Sequence, residues 1–357
     1  MGDDQQQELD PDLLGRYTLT TWGYKQGEMV SLMVHLGTRL GLYEALDGAG
    51  VVTSTDLAAS TGLHERWLRE WLRGQAAADL LVSEDGETFL LEPEAAAVLA
   101  RTGGPSFAAG VFRNLRHPEV ADGLAEAFRT GLGLTYDDQG EGSEQHTEAM
   151  LAPMARSLLV PVVVPLLDGV VERLEAGAKV VDVGCGTGLA LELLADAYPN
   201  SVFEGYDVSE RAIVAARDRF AGRANVSLHL VGGEDLPATG DVDLVMTLDC
   251  LHDMPRPDLA MAAIREAIAT DGVWLAKEIR SSPDWQKNRR NPVLAMMFAA
   301  SVSTCMASAM STPDGMGLGT LGLDPATLAE MATAAGFTRF VQHEVDDPTN
   351  LYYDIRP

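Results

Sequence analysis

The feature that most constrains this chain is the run Val180-Val181-Asp182-Val183-Gly184-Cys185-Gly186-Thr187-Gly188. An apolar stretch suited to a buried strand meets three alternating glycines, and a helical pattern follows at 189–197. Glycines carry no side chain, so the backbone can approach a ligand closely while the helix N-terminus aims N–H groups at it. The G-x-G-x-x-G spacing of dinucleotide folds is absent, and so is the Gly-Lys-Ser/Thr ending of a phosphate loop. The tighter G-x-G-x-G here follows an acid, Asp182. In the next apolar run, Glu204-Gly205-Tyr206-Asp207, the closing carboxylate Asp207 is placed to accept both hydroxyls of a ribose.

The turn opens a regular alternation. Strands are predicted at 179–183, 202–206, 226–231, 242–248, 273–279, 338–345 and 351–355, with helices at 189–197, 211–220 and 259–269. This rhythm predicts an α/β fold whose parallel sheet is covered by helices on both faces. Upstream the pattern differs. Met29, Leu32, Met33, Leu36 and Leu40 recur at helical spacing within 24–46. Thr53 or Ser54 can cap a short helix, Gly62 makes a turn, and a second helix runs over 65–77. Val82 and 88–91 then form a hairpin around Asp85-Gly86, which completes a winged helix. The expected organisation is a polar tail (1–12), a winged-helix domain (13–105), a helical connector (106–176) and the α/β domain (177–357). The connector is interrupted by an acidic Gly-rich loop over 131–144. Tyr136 and His146 flank it as candidate lid residues, although a solvated loop satisfies the same composition.

Composition narrows the partners. The 357 residues carry 26 Lys and Arg against 53 Asp and Glu, a formal charge of −27, which would repel duplex nucleic acid and anionic membranes. The most apolar run, 158–167, is short and interrupted by Pro161 and Pro165, so it is not expected to span a bilayer. The N-terminus is polar and acidic, unlike a signal peptide. Cys185, Cys250 and Cys305 are widely spaced, which suits neither a disulfide framework nor a zinc motif and fits a reducing cytoplasm.

From about Lys179 to the C-terminus the sequence resembles the class I S-adenosylmethionine-dependent methyltransferases. The resemblance runs through the glycine turn, Asp207, Gly232-Gly233-Glu234-Asp235-Leu236-Pro237, Asp241-Val242-Asp243-Leu244-Val245, Met246-Thr247-Leu248 and Ala335-Gly336-Phe337. It implies a Rossmann-like seven-stranded methyltransferase domain preceded by an α-rich winged-helix domain. It also implies S-adenosyl-L-methionine as cofactor, held by Asp182, Gly184, Gly186, Gly188, Asp207, Gly233, Glu234, Asp235 and Leu248. Many members carry an Asp for the adenine amino group where this chain has Gly232-Gly233. Adenine contacts would then fall to the backbone and to Glu234 or Asp235.

The whole chain looks like the small-molecule O-methyltransferases of plants and actinobacteria. That likeness implies a homodimer formed through the N-terminal domain, here by the apolar helix 29–46 and the Trp67/Trp71 face. A second constellation, Asp249-Cys250-Leu251-His252-Asp253-Met254, resembles the segment in which a histidine before an aspartate is the general base. The resemblance makes His252 the base and Glu278, in Ala276-Lys277-Glu278, the carboxylate that orients it. A phenol with a pKa of ~10 is mostly neutral at pH 7, so such a base assists its attack on a sulfonium methyl. Met254 replaces the family's aromatic residue, and a histidine that only packs a loop is the alternative. The expected acceptor is a hydroxyl on a small apolar or aromatic metabolite, with the Met-rich stretch 296–310 (Met297, Phe298, Met306) as candidate lining. The rival readings are a methyltransferase fold with a nitrogen, carbon or sulfur acceptor or with non-methylating chemistry, and a transcriptional regulator with a ligand-sensing second domain whose recognition helix offers Arg66, Arg69 and Arg73. Residues 1–105 hold 7 basic and 17 acidic residues, a poor footprint for DNA.

Overall fold

The protein is represented by a computed structural model that describes residues 10–101, 107, 109, 118–140 and 142–357. Most of the expected polar tail and the side chain of His146 lie outside them. The chain divides into two compact units, residues 1–121 with 284–300, and residues 122–283 with 301–357.

The first unit begins with helix α1 (Pro11–Arg39), whose cap Asp10 accepts hydrogen bonds from the N–H groups of Asp12 and Leu13. It therefore starts well before residue 24, where the apolar spacing becomes visible. A left-handed Gly41 (φ 68°) ends the run and starts α2 (Leu42–Leu46). Helix α3 (Ser54–Thr61) has a reciprocal cap between Thr53 and Asp56, Gly62 turns with φ 73°, and α4 (Glu65–Ala77) follows. Strand β1 (Val52–Thr53) pairs antiparallel with β2 (Thr88–Phe89), Val82 bridges Leu90, and α5 (Pro93–Leu99) closes the winged helix.

The core of this unit is aromatic. Trp67, Leu68, Trp71 and Leu72 of α4 are buried, Trp71 Nε1 donates to the Met33 carbonyl (2.9 Å), and Tyr43 meets the Trp71 ring edge-on. A Cβ on Gly37 would lie 2.5 Å from Trp71, so glycine lets α1 settle onto that ring. Two corrections follow. Met33, Leu36, Leu42 and Leu46 of the 29–46 stretch are buried in the unit's own core together with Trp67 and Trp71, so the tryptophan face is not free to form an interface, whereas Met29, Leu32 and Leu40 are only partly buried. The large apolar side chains left exposed lie earlier on α1: Leu13, Leu14, Tyr17, Leu19, Trp22 and Tyr24. Residues 284–300 also pack here, with Trp285 against Gly86 and Phe298 against Gly74, so Met297 and Phe298 are core rather than acceptor lining. The arginines of α4 are paired within the unit: Arg66 with Glu70 (2.7 Å), Arg69 with Glu65 (3.0 Å) and Arg73 with Glu87.

In the second unit, α6 (Pro118–Thr130), α7 (Ser143–Leu158) and α8 (Val170–Ala176) lead into a seven-stranded sheet. Its strands are β3 (Lys179–Val183), β4 (Val202–Asp207), β5 (Val226–Leu230), β6 (Val242–Leu248), β7 (Ile268–Ile279), β8 (Arg339–His343) and β9 (Asn350–Arg356), ordered β5-β4-β3-β6-β7-β9-β8. Helices α9 (Leu189–Ala197), α10 (Glu210–Arg219) and α11 (Pro257–Ala267) make the crossovers. The first five strands are parallel as the alternation predicts, and the sheet is completed by β9, which runs antiparallel to both β7 and β8. The link from His343 to Asn350 is too short for a crossover helix, so a hairpin is the only connection available. Alternation along β3 sends Val180 to a core with Leu191, Phe203 and Met246, and Val181 to the opposite core with Val245, Ile264 and Trp274. Strand order reverses between β3 and β6, which opens a crevice at their carboxyl ends. Among the described residues no single helix is long and apolar enough to cross a membrane.

Candidate active site

The crevice is a cavity of about 480 Å³ in the second unit. The glycine turn forms one wall. After β3, Gly184 takes φ 72°, and its N–H and that of Cys185 both donate to the Tyr206 carbonyl (2.8 and 3.1 Å). A Cβ on Gly184 would lie 2.7 Å from Cys250 Cβ, whereas one on Gly186 (φ 54°) would meet nothing within 4 Å. Gly186 is therefore the point where the backbone faces open space.

Asp207, at the end of β4, holds the turn. Its Oδ2 accepts from the Gly186 N–H and its Oδ1 from the Ser209 N–H, each at 2.8 Å. Burial raises its pKa in spite of these bonds. Asp182 is more deeply enclosed, and burial, reinforced by Asp207, pushes its carboxyl up to about 8. Gly233, Glu234 and Leu248 complete the expected lining, with Gly233 packed close to Val183 and Ala260.

Gly188, Asp235, His252 and Glu278 do not reach the cavity wall. Gly188 caps α9 with φ 84°, and Phe220 fills the space where a Cβ would point. Asp235 is exposed on the outer side of its turn, so of the two acids only Glu234 faces inward.

His252 lies behind the wall, 2% exposed. Its Nδ1 is 2.5 Å from Glu278 Oε2, and the other oxygen of Glu278 accepts from the Leu251 N–H at 3.1 Å. Its Nε2 is 3.0 Å from Asp253 Oδ1. Burial disfavours charge on this ring, but the Asp253 and Glu278 carboxylates outweigh it and hold the pKa well above the usual histidine value. In this arrangement each ring nitrogen faces a carboxylate, and His252 is not among the residues that line the cavity. The expected pairing of His252 with Glu278 is present. The group that does line the cavity is Asp253, which accepts a hydrogen bond from the phenol of Tyr136.

Sequence reasoning missed further groups. Asp249 takes a positive φ (60°), which is uncommon outside glycine, and it binds Lys277 Nζ and Asn350 Nδ2. Glu148 of α7 receives the Thr187 hydroxyl and the Arg219 guanidinium, so the helical segment is tied to the glycine turn. Asp137 accepts from the Ser209 hydroxyl (2.6 Å) and the Glu210 N–H (3.0 Å). Among the described residues, Lys277 is the single cationic side chain in a wall that includes Asp137, Asp182, Asp207, Glu234, Asp249 and Asp253. Such a wall favours a ligand bearing positive charge.

Comparison with known proteins adds independent findings. Residues 181–274 match the family described as a methyltransferase domain, and residues 28–101 match the Rv2258c-like winged HTH domain. The ubiquinone biosynthesis O-methyltransferase of Thiobacillus denitrificans is 29% identical over 182 residues, covering 50% of this chain and 70% of that protein. The trans-aconitate 2-methyltransferase of Mycolicibacterium gilvum is 30% identical over 112 residues, or 31% of this chain and 41% of that protein. Among solved structures, an O-methyltransferase family 2 protein from Planctomyces limnophilus in complex with apigenin superposes with a TM-score of 0.61. Its identity is 16%, with 95% of this chain and 96% of that chain covered. The CurJ carbon methyltransferase gives a TM-score of 0.57 at 12% identity, covering 94% and 93%. At such identities the structural likeness speaks for the fold.

Proposed function

We propose that this chain, whose residues 181–274 match a methyltransferase domain and 28–101 a winged HTH domain, is a class I S-adenosyl-L-methionine-dependent methyltransferase that methylates a hydroxyl of a small, apolar or aromatic metabolite. Residues of the glycine turn with Asp182, Asp207, Glu234 and Leu248 hold the cofactor, whose sulfonium suits the acidic wall. The observation that carries the hydroxyl reading is the bond between Tyr136 and Asp253. A phenol of the protein itself already sits on a carboxylate of the cofactor cavity, and an acceptor hydroxyl can take its place. When bound, the cofactor would supply a sulfonium methyl to the acceptor oxygen, the electrons of the broken carbon–sulfur bond returning to sulfur. The oxygen's proton passes to Asp253, backed by His252 and Glu278. Alignment in a dry cavity supplies much of the rate.

The reading includes a homodimer in a reducing cytoplasm, formed through the exposed apolar face of α1, and no nucleic-acid or membrane partner. The internal pairing of Arg66, Arg69 and Arg73 supports a small-molecule role over DNA binding. The test is incubation with methyl-labelled cofactor and a panel of phenols, alcohols, amines and carboxylic acids. Labelled ethers with S-adenosylhomocysteine are expected. Label confined to amines, carboxylates or carbon would overturn the hydroxyl assignment.

A further inference from the structure

We propose that His252, Asp253 and Cys305 form a binding site for a divalent metal ion of the zinc class, with its open side toward the cavity. The ligand atoms of these three residues lie within 4.8 Å of one another. In a tetrahedral zinc shell, neighbouring donors stand ~3.3–3.6 Å apart, given metal distances of ~2.0 Å to nitrogen or oxygen and ~2.3 Å to sulfur. Small side-chain movements would thus close the shell. Imidazole, carboxylate and thiol together select zinc or cobalt over magnesium or calcium, which prefer oxygen alone.

The surroundings match what such a site needs. A metal-binding imidazole ordinarily gives its other N–H to a carboxylate, which fixes the tautomer and turns the free nitrogen to the metal. Glu278, 2.5 Å from Nδ1, stands in that position and leaves Nε2 for the ion. Asp253 divides its oxygens. One accepts from Tyr136, while Oδ1 is buried and has no hydrogen-bond partner among the described residues. Its neighbour is Nε2 of His252 at 3.0 Å, the contact that an ion seated between the two would replace. An oxygen so enclosed calls for a partner, and a cation supplies one. Charge also closes: a neutral imidazole, one carboxylate and one thiolate balance a divalent ion, with the thiol proton and any Nε2 proton released to solvent. Asp253 also lines the cavity, so an ion held against it would be close to a hydroxyl bound there and would polarise it. Wide spacing of the cysteines hides this arrangement in the sequence, since Cys305 joins His252 only through the fold.

The metal site goes beyond the methyl-transfer reading, and its test needs no substrate. The full chain, stripped with a chelator, is titrated with cobalt(II) and then challenged with zinc(II). Expected are one cobalt per chain at micromolar concentration, a thiolate-to-cobalt charge-transfer band, and displacement by zinc. The band should disappear in Cys305→Ser and persist in Cys250→Ser. No stoichiometric cobalt, or a band that survives Cys305→Ser, overturns the proposal. X-ray absorption of the zinc-loaded parent is independent of any variant's folding. One sulfur at ~2.3 Å with nitrogen and oxygen ligands supports the site, and a shell without sulfur refutes it. Cofactor binding measured on the same sample keeps failure here distinct from failure of the methyltransferase assignment.

Discussion

Asp207 Oδ2 accepts a 2.8 Å hydrogen bond from the backbone N–H of Gly186, so the carboxylate at the end of one strand fixes the turn at the end of its neighbour. On the proposed reading, ligand recognition and turn geometry are joined in one side chain. Asp207→Ala should weaken S-adenosylhomocysteine binding by about tenfold or more, in line with ~1.5–3 kcal/mol for hydrogen bonds to a charged group. Gly186→Val should do at least as much, since it adds bulk to open space at a left-handed φ of 54°. Calorimetric titration decides; parent-like affinity in both variants would remove this turn from the cofactor site.

Asp182 makes the stability of the cofactor-free chain fall as pH rises. With its folded pKa near 8 and an unfolded value of ~3.9, the native state binds a proton that the unfolded state lacks across that window. Stability is greatest below about pH 4 for this group's contribution, declines through neutrality and levels off above about pH 8. Asp182→Asn should flatten that slope. Urea midpoints of parent and variant between about pH 5 and 8.5 measure it, and equal slopes would contradict the linkage.

Removing His252 should cost stability as well as turnover. Its ring stands between Asp253 and Glu278, and breaking a buried ion pair from one side typically costs ~3–5 kcal/mol. Denaturant curves of His252→Ala should show a loss of that order. A variant as stable as the parent would mean the ring is not charged in the native state. Activity of His252→Ala is interpretable only beside that measurement, because an unfolded enzyme imitates a missing base.

The exposed apolar stripe on α1 predicts assembly. Leu14, Tyr17 and Leu19 are 53%, 62% and 63% exposed. Light scattering at micromolar concentration should give a dimer for the parent and a monomer for the pair Leu14→Glu and Tyr17→Glu combined. A monomeric parent ends the idea.

Much of the fold was legible because the signals are local. The cap at Thr53, the turn at Gly62, the bounds of α4 and the glycine turn each depend on neighbours in sequence. The start of α1 was not legible, since Gly15, Gly23, Gly27 and polar neighbours blur the apolar spacing there. Strand direction was also hidden: β9 alternates no differently for running antiparallel, and only the short link before it carries the information. Within the site, Asp182 and Asp207 could be read from their places beside glycines and strand ends. Glu148, Asp137 and Tyr136 could not, because they reach the cavity from helices and loops whose own sequence has no matching spacing. The orientation of His252 was beyond reach for a further reason. Which of two adjacent residues faces a cavity depends on the pitch of a single short turn, Leu251–Asp253.

The return of residues 284–300 to the first unit bears on how such a protein can be inherited. Phe298 completes a core begun some two hundred positions earlier and the half-buried Trp285 packs against Gly86, so no single break in the gene separates the two units intact. A chimera joined once near residue 121 would pair one parent's α1 and α4 with another parent's Trp285 and Phe298. Recombination among relatives must therefore exchange two distant stretches together, or leave a mismatched interior that selection would remove.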